Sequence, residues 1–505
     1  MSLAIVQCRA QLGIDAPSVT VEVFLSGGLP SFSIVGMAET AVRESKDRVR
    51  SALITSGFKF PRERITVSLG PADMRKAGGR FDLAIALGIL AASKKIPVES
   101  LPGIEAYGEL GLDGELRSVP AMLVSAMHAR AAGNAMIVPL QNGSEAAVAK
   151  ASVLPATSLL EVTAHLQGRM VIEPLPTPSP PAAASRGPDL SDVRGQAHAK
   201  RALEIAAAGG HNLLFIGPPG TGKSMLARRM AGILPPMSET ETLETAAIES
   251  VLGRPLDLSR WRKRPFRSPH HTASATAIVG GGPGPQPGEI SRAHNGVLFF
   301  DELPEFNRNV LEVLREPLET GAITISRANA QAEFSADFQF IAAMNPCPCG
   351  YLGDPQGDCG CSAERVRSYR SKVSGPLVDR IDLHIEVGRP PKEFLRSGGD
   401  AGESSSDVAT RVLDARRVQL DRGKVMNARL DGDALDTHCR LDDKCLVMLE
   451  AAVDKFNLSA RAYQRVRRVA RTIADLSGAE TITPPHIAEA LSLRQLDVRR
   501  PTATR

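Results

Sequence analysis

The stretch HNLLFIGPPGTGKSMLARRMAGIL, residues 211–234, joins an apolar run, a glycine-rich loop and a helix-forming segment. Its centre, Gly217–Ser224, fits the phosphate-loop pattern G-x-x-x-x-G-K-S at every fixed position. An apolar strand before the loop and a helix after it are the context that this pattern requires. The stretch therefore predicts a buried parallel strand that ends in a phosphate-binding loop.

The residue types of this loop suit a nucleoside triphosphate. The glycines let backbone N–H groups turn toward the phosphates, and the helix N-terminus adds positive potential. Lys223 would neutralise the β and γ oxygens, and Ser224 would offer a hydroxyl to Mg²⁺. The predicted cofactors are therefore ATP and Mg²⁺. The predicted nucleotide-binding residues are Gly217, Pro218, Pro219, Gly220, Thr221, Gly222, Lys223 and Ser224.

Two further apolar runs, GVLFFDE and FQFIAAMN, end in polar side chains. Carboxyl ends of parallel strands meet at one edge of a sheet, so we expect Asp301, Glu302 and Asn345 beside the loop. Asp301 would hold Mg²⁺ together with Ser224, and Glu302 would polarise the attacking water. Asn345 would orient that water or touch the γ-phosphate. Taken alone, the acidic pair also suits a helix cap and the asparagine a turn.

Length and composition narrow the class of protein. A chain of 505 residues is too long for one core and predicts two or three domains. Hydrophobic residues at 43% fit a globular protein, and no apolar run approaches the roughly 20 residues that span a bilayer. No secretory signal is visible at the N-terminus, and the seven cysteines, four of them clustered, suit a reducing compartment. We predict a cytoplasmic protein without membrane contact.

Shifts in composition divide the chain. Residues 1–170 alternate strand-like and helix-like runs, and residues 171–188, rich in Pro, Ala and Ser, are typical of an extended linker. Residues 189–394 carry the nucleotide motifs and predict an α/β domain with a parallel sheet. A polar, flexible connection is predicted at 395–407. Residues 408–505 have helical periodicity and predict a helical lid.

Several segments together resemble one known family. The glycine-rich loop and the segments RPFRSPHHTAS, PGEISRAHNGVLFFDE and SGPLVDRIDLHIEV are similar to those of the magnesium-chelatase-like AAA+ ATPases, specifically the ComM/YifB group. The resemblance extends essentially along the whole chain. It implies a homo-oligomeric ring, a hexamer, with the nucleotide between subunits.

The resemblance also assigns arginines to the site. It implies that Arg380, in LVDRID, is the arginine finger and that Arg461, in LSARAY, is the sensor-2 arginine of the lid. Arg370 is the alternative interface residue, and a plain surface position remains open for Arg380 and Arg461. The predicted catalytic residues are Lys223, Asp301, Glu302, Asn345, Arg380 and Arg461.

The helical segment after Ser459 has two faces. Its predicted apolar stripe consists of Ala462, Val466, Val469 and Ile473. Arg461, Arg465 and Arg468 are predicted to share an adjacent face. One arginine that faces ATP explains this basic face only in part, and a solvated helix face is the alternative.

Residues 1–170 resemble the ribosomal-S5/Lon-protease fold, an α+β fold. The positions where Lon-type proteases carry the catalytic serine and lysine are occupied here by Arg80 and Leu123. Without a nucleophile and an amine base no acyl-enzyme can form. We therefore predict a scaffold without protease chemistry, with ring assembly and polynucleotide contact as its roles.

The resemblance implies a DNA partner, single-stranded and branched. It implies an ATP-dependent translocase or helicase that promotes branch migration during recombination of incoming DNA in natural transformation. A protein-remodelling or regulatory ATPase and a metal-chelatase motor subunit are the alternatives. Chelatase subunits lack the Lon-like domain, which argues against the last.

A formal charge of +4 is close to neutral, so any DNA-binding surface must be local. The candidates for phosphate contact are Arg264 and Arg267 in RPFRSPHH, with Arg75, Lys76 and Arg80 on a loop expected to be exposed. A merely solvated loop is the alternative. His270 and His271 suit a loop that meets phosphate or a neighbouring subunit better than a catalytic metal site.

Four cysteines form two Cys-x-Cys pairs about ten residues apart on a Gly/Pro-rich loop. They are Cys347, Cys349, Cys359 and Cys361. Four thiolates so placed could hold one structural Zn²⁺ and order a loop with little apolar material of its own. Free thiols and redox chemistry are the alternatives.

Overall fold

The computed structural model describes residues 2–36, 39–179, 187–282, 285–327, 330–389 and 402–494. Contacts divide the chain into two units, residues 1–183 with 242–261 (unit 1) and residues 184–241 with 262–505 (unit 2). Among the described residues, no helix has both the length and the apolar character needed to cross a membrane.

The described residues of unit 1 form nine strands and six α-helices that lie wholly within it. The strands are β1 (Ser2–Arg9), β2 (Ser18–Ser26), β3 (Ser31–Val35), β4 (Arg64–Gly70), β5 (Ile104–Ala106), β6 (Glu109–Leu110), β7 (Leu116–Arg117), β8 (Ala135–Pro139) and β9 (Ser152–Ala156). The helices are α1 (Thr40–Arg43), α2 (Ser45–Thr55), α3 (Asp82–Ala92), α4 (Met122–Ala131), α5 (Leu140–Ala147) and α6 (Leu159–Leu166).

Seven of these strands form a mixed sheet in the order β3-β4-β2-β1-β5-β8-β9. Alternate residues of β1 and β2 are buried, Val6 opposite Val21 for example, because one sheet face packs against helices. Helix α3 is buried along its whole length, which explains why its sequence is apolar all round. At Gly88 of α3 a Cβ would lie 2.4 Å from Val23, so this close packing requires glycine.

The helices of unit 2 begin with α7 (Ala197–Gly209), α8 (Lys223–Ile233) and α9 (Glu239–Val251), whose residues from Thr242 onward belong to unit 1. They continue with α10 (Ala275–Val279), α11 (Glu289–Arg292), α12 (Arg308–Val313), α13 (Arg315–Thr320), α14 (Ala363–Ser371) and α15 (Gly375–Val378). The C-terminal helices are α16 (Ser405–Gly423), α17 (Gly432–His438), α18 (Asp443–Phe456), α19 (Ala460–Leu476) and α20 (Pro484–Ser492).

The strands of unit 2 are short and mostly apolar. They are β10 (Leu213–Ile216), β11 (Phe266–Arg267), β12 (Gly280–Gly281), β13 (Gln286–Pro287), β14 (Val297–Phe300), β15 (Ala322–Arg327), β16 (Ala330–Ser335), β17 (Gln339–Met344) and β18 (Leu383–Glu386). Five of them form an all-parallel sheet in the order β11-β14-β17-β10-β18. Strands β10, β14 and β17 are buried at every position, as expected for a parallel sheet covered on both faces.

The predicted fold class is confirmed: an α+β N-terminal part, a parallel-sheet domain and a helical C-terminal region. The predicted apolar stripe of α19 is buried. The apolar side chains of residues 242–261, Leu243 and Trp261 among them, pack in the core of unit 1, although they lie within the predicted ATPase segment 189–394. Residues 405–407 of the predicted connection form the first turn of α16. Residues 180–186 of the predicted linker, 395–401 of the connection and 495–505 of the lid lie outside the described residues.

Candidate active site

The glycine-rich loop Gly217–Ser224 connects β10 to α8, which begins at Lys223. Gly222 precedes the helix with φ 89°, a conformation that suits glycine. A side chain at Gly217 would place its Cβ 2.1 Å from the carbonyl oxygen of Val387, so glycine is required there too. The loop therefore presents its backbone at the N-terminus of an 11-residue helix, a geometry that favours bound phosphate.

Lys223 is buried in this loop. Its Nζ donates to the carbonyl oxygens of Gly217, at 2.7 Å, and Pro218, at 2.8 Å. A third hydrogen bond, of 3.2 Å, goes to Oδ1 of Asn345 at the end of β17. Burial lowers the pKa of Lys223 to about 8, although the carboxylates of Asp301 and Glu302 oppose that shift.

Ser224 and Asp301 meet directly. The Ser224 hydroxyl donates to Oδ2 of Asp301, and the two oxygens lie 2.5 Å apart. The loop follows β10, the neighbouring strand is β17, and the next strand is β14, which Asp301 follows. The carboxyl ends of these strands therefore lie together, as predicted. A hydroxyl and a carboxylate oxygen are ligands that Mg²⁺ accepts alongside phosphate and water, and the pair fits that cation.

Glu302 projects from the same strand end and is half-exposed. Its backbone N–H bonds to Oδ1 of Asp301 at 3.0 Å. Its carboxylate oxygen Oε2 lies 3.2 Å from Nδ1 of His271. Sequence reasoning missed this contact, because β11, the strand that leads to His271, has only two residues and shows no periodicity of its own.

The segment after Asn345 lies close to the phosphate loop. A Cβ at Gly350 would come within 2.7 Å of Cδ of Pro219, so the Gly350 backbone packs closely against the proline ring. Arg370, the alternative interface arginine, donates from Nε to the carbonyl oxygen of Pro346 at 3.2 Å. This segment therefore connects the strand end at Asn345 to the loop and to α14.

Arg380 and Arg461 line a separate polar cavity of about 250 Å³ in unit 2. Of the described residues that line it, none belongs to Gly217–Ser224. Arg380 pairs with Glu319 and donates to the carbonyl oxygen of Pro376, while its buried Nε has no partner among the described residues. The structure thus brings the two predicted arginines together, away from the chain's own phosphate loop.

The predicted basic face of α19 forms part of the wall of this cavity. Arg461, Arg465 and Arg468 all line it, together with Arg429. Arg465 pairs with the buried Asp382, and burial lowers the pKa of Arg468, which the neighbouring Arg465 lowers further. Arg465 and Arg468 were not among the predicted site residues, although their spacing from Arg461 on the helix had placed them on one face.

The four clustered cysteines lie together. Their Sγ atoms all fall within 4.8 Å of one another. The pairs Cys347–Cys349, Cys347–Cys359 and Cys349–Cys359 are 3.4, 3.7 and 3.6 Å apart. Tetrahedral Zn²⁺ with bonds of about 2.3 Å separates its sulfur ligands by about 3.7 Å. The donor set and spacing fit Zn²⁺. A backbone N–H of Tyr351 stabilises the Cys349 thiolate and lowers its pKa to about 7.

The predicted exposure of two basic residues of unit 1 is wrong. Lys76 and Arg80 are buried, not exposed. Lys76 donates to the carbonyl oxygen of Pro71, and burial lowers its pKa. Arg80, at the position of the protease nucleophile, donates to the carbonyl oxygens of Arg9 and Pro120 and fills the interior. Arg75 alone of the three is exposed, with an ion pair to Glu39 at 3.1 Å.

Arg264 and Arg267 are also engaged within the fold. Arg264 pairs with Glu241 and donates to the carbonyl oxygen of Asn295 at 2.7 Å. Arg267 holds Glu289 through two hydrogen bonds of 2.6 and 2.7 Å. Carboxylates accept hydrogen bonds from both guanidinium groups, so a phosphate would have to compete with Glu241 and Glu289 for them.

Comparison with known proteins gives one consistent result. Residues 189–395 match the family described as magnesium chelatase, subunit ChlI; residues 21–142 match subunit ChlI of Mg-chelatase; and residues 402–494 match the magnesium chelatase, subunit ChlI C-terminal family. The chain is 49% identical over 502 residues to competence protein ComM of Haemophilus influenzae, covering 98% of each chain. It is 48% identical over 501 residues to the uncharacterized protein YifB of Escherichia coli, again covering 98% of each. Identity to the magnesium-chelatase 38 kDa subunit of Cereibacter sphaeroides is 23% over 330 residues, 60% of this chain and 90% of that one.

Proposed function

The chain belongs to the ComM/YifB group of magnesium-chelatase-like AAA+ proteins, and from that premise we propose a DNA-translocating motor driven by ATP hydrolysis. The motor is a homo-hexameric helicase of the cytoplasm that promotes branch migration during recombination of incoming DNA in natural transformation. The printed name of its Haemophilus relative, a competence protein, supports the link to DNA uptake.

One observation carries the ATPase part of the proposal. Three separate chain segments supply two hydrogen-bonded pairs, Lys223 with Asn345 and Ser224 with Asp301, at the carboxyl edge of one parallel sheet. This edge is where open α/β sheets bind nucleotides. A lysine for the phosphates, a hydroxyl and a carboxylate for Mg²⁺, and a polar group for the γ-phosphate are the side chains that phosphoryl transfer requires.

Each side chain has one task in hydrolysis. Lys223 exchanges its carbonyl acceptors for β- and γ-phosphate oxygens, and Asn345, released from Lys223, contacts the γ-phosphate or the lytic water. Glu302 takes a proton from that water as it attacks. Ser224 and Asp301 would hold Mg²⁺, which would supply neutralisation of phosphate charge.

Arg380 and Arg461 act on the nucleotide bound by a neighbouring subunit. Both arginines line a cavity that the chain's own phosphate loop does not reach, which supports action on the nucleotide of a neighbouring subunit. Arg465 and Arg468 add positive charge around them. Cations placed there stabilise the charge that develops on the γ-phosphate, so hydrolysis depends on ring assembly.

The cysteine cluster would hold Zn²⁺ in a structural role. Cys347 follows Asn345 by two residues, and Gly350 lies against Pro219 of the phosphate loop. Four thiolate bonds would fix this segment and thereby the position of Asn345. DNA contact is proposed at Arg75, because both Arg75 and its ion-pair partner Glu39 are exposed, so that a phosphate could compete for the guanidinium.

The decisive experiment measures ATP hydrolysis by the full chain with and without single-stranded DNA and synthetic three- and four-way junctions. Wild type should hydrolyse faster with DNA and should release strands from the junctions, and Lys223→Ala should do neither. DNA that neither binds at low salt nor stimulates hydrolysis would refute the helicase, and stimulation by unfolded protein instead would favour a remodelling motor.

A further inference from the structure

Residues 43–64, from the end of α1 to the first residue of β4, are strongly basic. They contain seven lysines or arginines and three acidic residues, a net charge of +4. The whole chain of 505 residues carries the same +4, so this segment concentrates positive charge. Six of its basic residues are exposed or partly exposed, and together they are called the α2 basic surface. They are Arg43, Lys46, Arg50, Lys59, Arg62 and Arg64.

The six side chains of the α2 basic surface are not paired. Among the residues that the structure describes, no carboxylate lies within ion-pairing distance of any of them. The seventh basic residue, Arg48, differs, because it pairs with the buried Asp82 at 2.6 Å. Arg264 and Arg267 are paired with carboxylates as well. A phosphate can therefore bind the α2 basic surface without displacing a carboxylate.

Contacts bring two separate parts of the segment together. The guanidinium of Arg50, on α2, lies over the ring of Phe60, 5.3 Å from its centroid. Phe60 in turn contacts Phe32 of the edge strand β3, with ring centroids 6.0 Å apart. Lys59 and Arg62 lie on either side of Phe60 in the chain. The basic residues of α2 and those that follow it therefore belong to one surface of unit 1.

The α2 basic surface continues toward Arg75. The backbone N–H of Glu39 donates to the carbonyl oxygen of Lys76 at 3.0 Å, so the chain at Arg75 lies beside the start of α1. Arg43 ends α1, and Lys46 lies in the first turn of α2. A cation in the first turn opposes the helix dipole, and the last turn of α2 has no basic residue. Helix stability therefore does not explain where these charges lie.

We propose that the α2 basic surface binds the sugar–phosphate backbone of DNA. The inference rests on the proposed DNA-translocating function and assigns to unit 1 a surface that contacts the DNA. Lysine and arginine contacts with phosphate carry no sequence information, and each contact releases condensed counterions. Binding by this surface is therefore independent of sequence and weakens steeply with salt.

Substitutions at Arg43 and Lys59 test the surface, because these two exposed residues lie in its two separate parts. Binding of the full chain to a fluorescent oligothymidylate of about 30 nucleotides is measured by anisotropy between about 50 and 200 mM salt. Arg43→Gln with Lys59→Gln should lower the slope of log affinity against log salt by about 1.4, about 0.7 for each lost contact. Arg43→Glu with Lys59→Glu should weaken binding at low salt at least about tenfold.

The matched control is Lys95→Glu with Arg169→Glu, at two exposed basic residues of unit 1 that lie outside the segment and have no ion pair among the described residues. It should bind the oligonucleotide within about twofold of wild type. All variants should melt within about 2 °C of wild type, which verifies folding.

The outcomes separate this surface from the motor itself. A wild type that binds DNA, with Arg43 and Lys59 variants that bind equally well or a control that loses as much affinity, overturns the surface and leaves the proposed function standing. A preference of more than about tenfold for one sequence over another overturns backbone contact. A wild type that binds no DNA at low salt overturns both.

Discussion

The ammonium of Lys223 donates a hydrogen bond of 3.2 Å to Oδ1 of Asn345, joining the first residue of α8 to the residue after β17. The cation and the amide are thus paired with each other at the edge where phosphate would bind. A bound triphosphate competes for both groups, so binding and the arrangement of the site are coupled.

Lys223→Ala should abolish ATP binding, because phosphate charge is no longer neutralised. Glu302→Gln should bind ATP with near-normal affinity and hydrolyse it at least about 100-fold more slowly, since only proton abstraction is lost. Equilibrium binding and phosphate release measure the two steps separately. Normal turnover in Glu302→Gln would show that another group activates the water.

The affinity for ATP should fall at alkaline pH. Lys223 has a pKa of about 8 in the nucleotide-free protein, so the amine loses its charge as pH rises through that value. Bound phosphate favours the cation and raises this pKa, so binding takes up a proton above pH 8 and its Kd rises by up to about tenfold per pH unit. Below pH 8 the amine is charged in both states and the Kd should be flat.

Calorimetric titrations in buffers of different ionisation enthalpy measure that proton uptake. Lys223→Arg, which stays charged throughout this range, is the control and should bind with little pH dependence of its own. A wild-type affinity that is equally flat from pH 7 to 9.5 would contradict the depressed pKa.

Arg380→Ala should leave ATP binding within about threefold of wild type and lower turnover at least tenfold, because the finger acts on developing charge. Mixing Arg380→Ala with Lys223→Ala subunits should restore part of the activity, since some interfaces then combine an intact loop with an intact arginine. Mixed rings no more active than either parent would argue that Arg380 acts within its own subunit.

Protein purified without chelator should contain about one Zn²⁺ per chain. The double variant Cys359→Ser with Cys361→Ser should lose it, and its turnover should fall more than its ATP affinity because the segment beside Asn345 is no longer fixed. Cys439→Ser, at a buried cysteine outside the cluster, is the matched control and should retain zinc. A metal-free wild type with full activity would make the cluster a set of free thiols.

Two charge reversals distinguish structural from DNA-contacting arginines. Arg267→Glu places a second carboxylate beside Glu289 and should lower the free energy of unfolding by about 1 kcal/mol or more. Arg75→Glu, at an exposed position, should leave the melting temperature within about 2 °C and weaken DNA binding in a salt-dependent way. The reverse pattern, a stable Arg267→Glu with lost DNA affinity, would return Arg267 to the DNA surface.

Much of the site could be predicted from local sequence. The spacing of Gly217–Ser224 and the polar residues that end two apolar runs predict which groups meet, because parallel strands bring their carboxyl ends to one edge. The cysteine spacing predicted the cluster because two Cys-x-Cys pairs on one short loop cannot lie far apart. In these cases the information lies within a few residues, or in a rule that every parallel sheet obeys.

Other features depend on partners distant in the sequence. Arg267 is paired with a carboxylate 22 residues away, and Arg80 donates to a carbonyl 40 residues away. His271 meets Glu302 only because a two-residue strand lies beside β14. The residue type of a charged or imidazole side chain does not reveal whether that side chain is solvated, buried or paired. The sequence by itself therefore determined the phosphate-loop pattern and the polar residues that follow the strands beside it. Only the tertiary structure decided which basic side chains are buried and which carboxylates they pair with, because burial and pairing depend on distant groups brought together by packing.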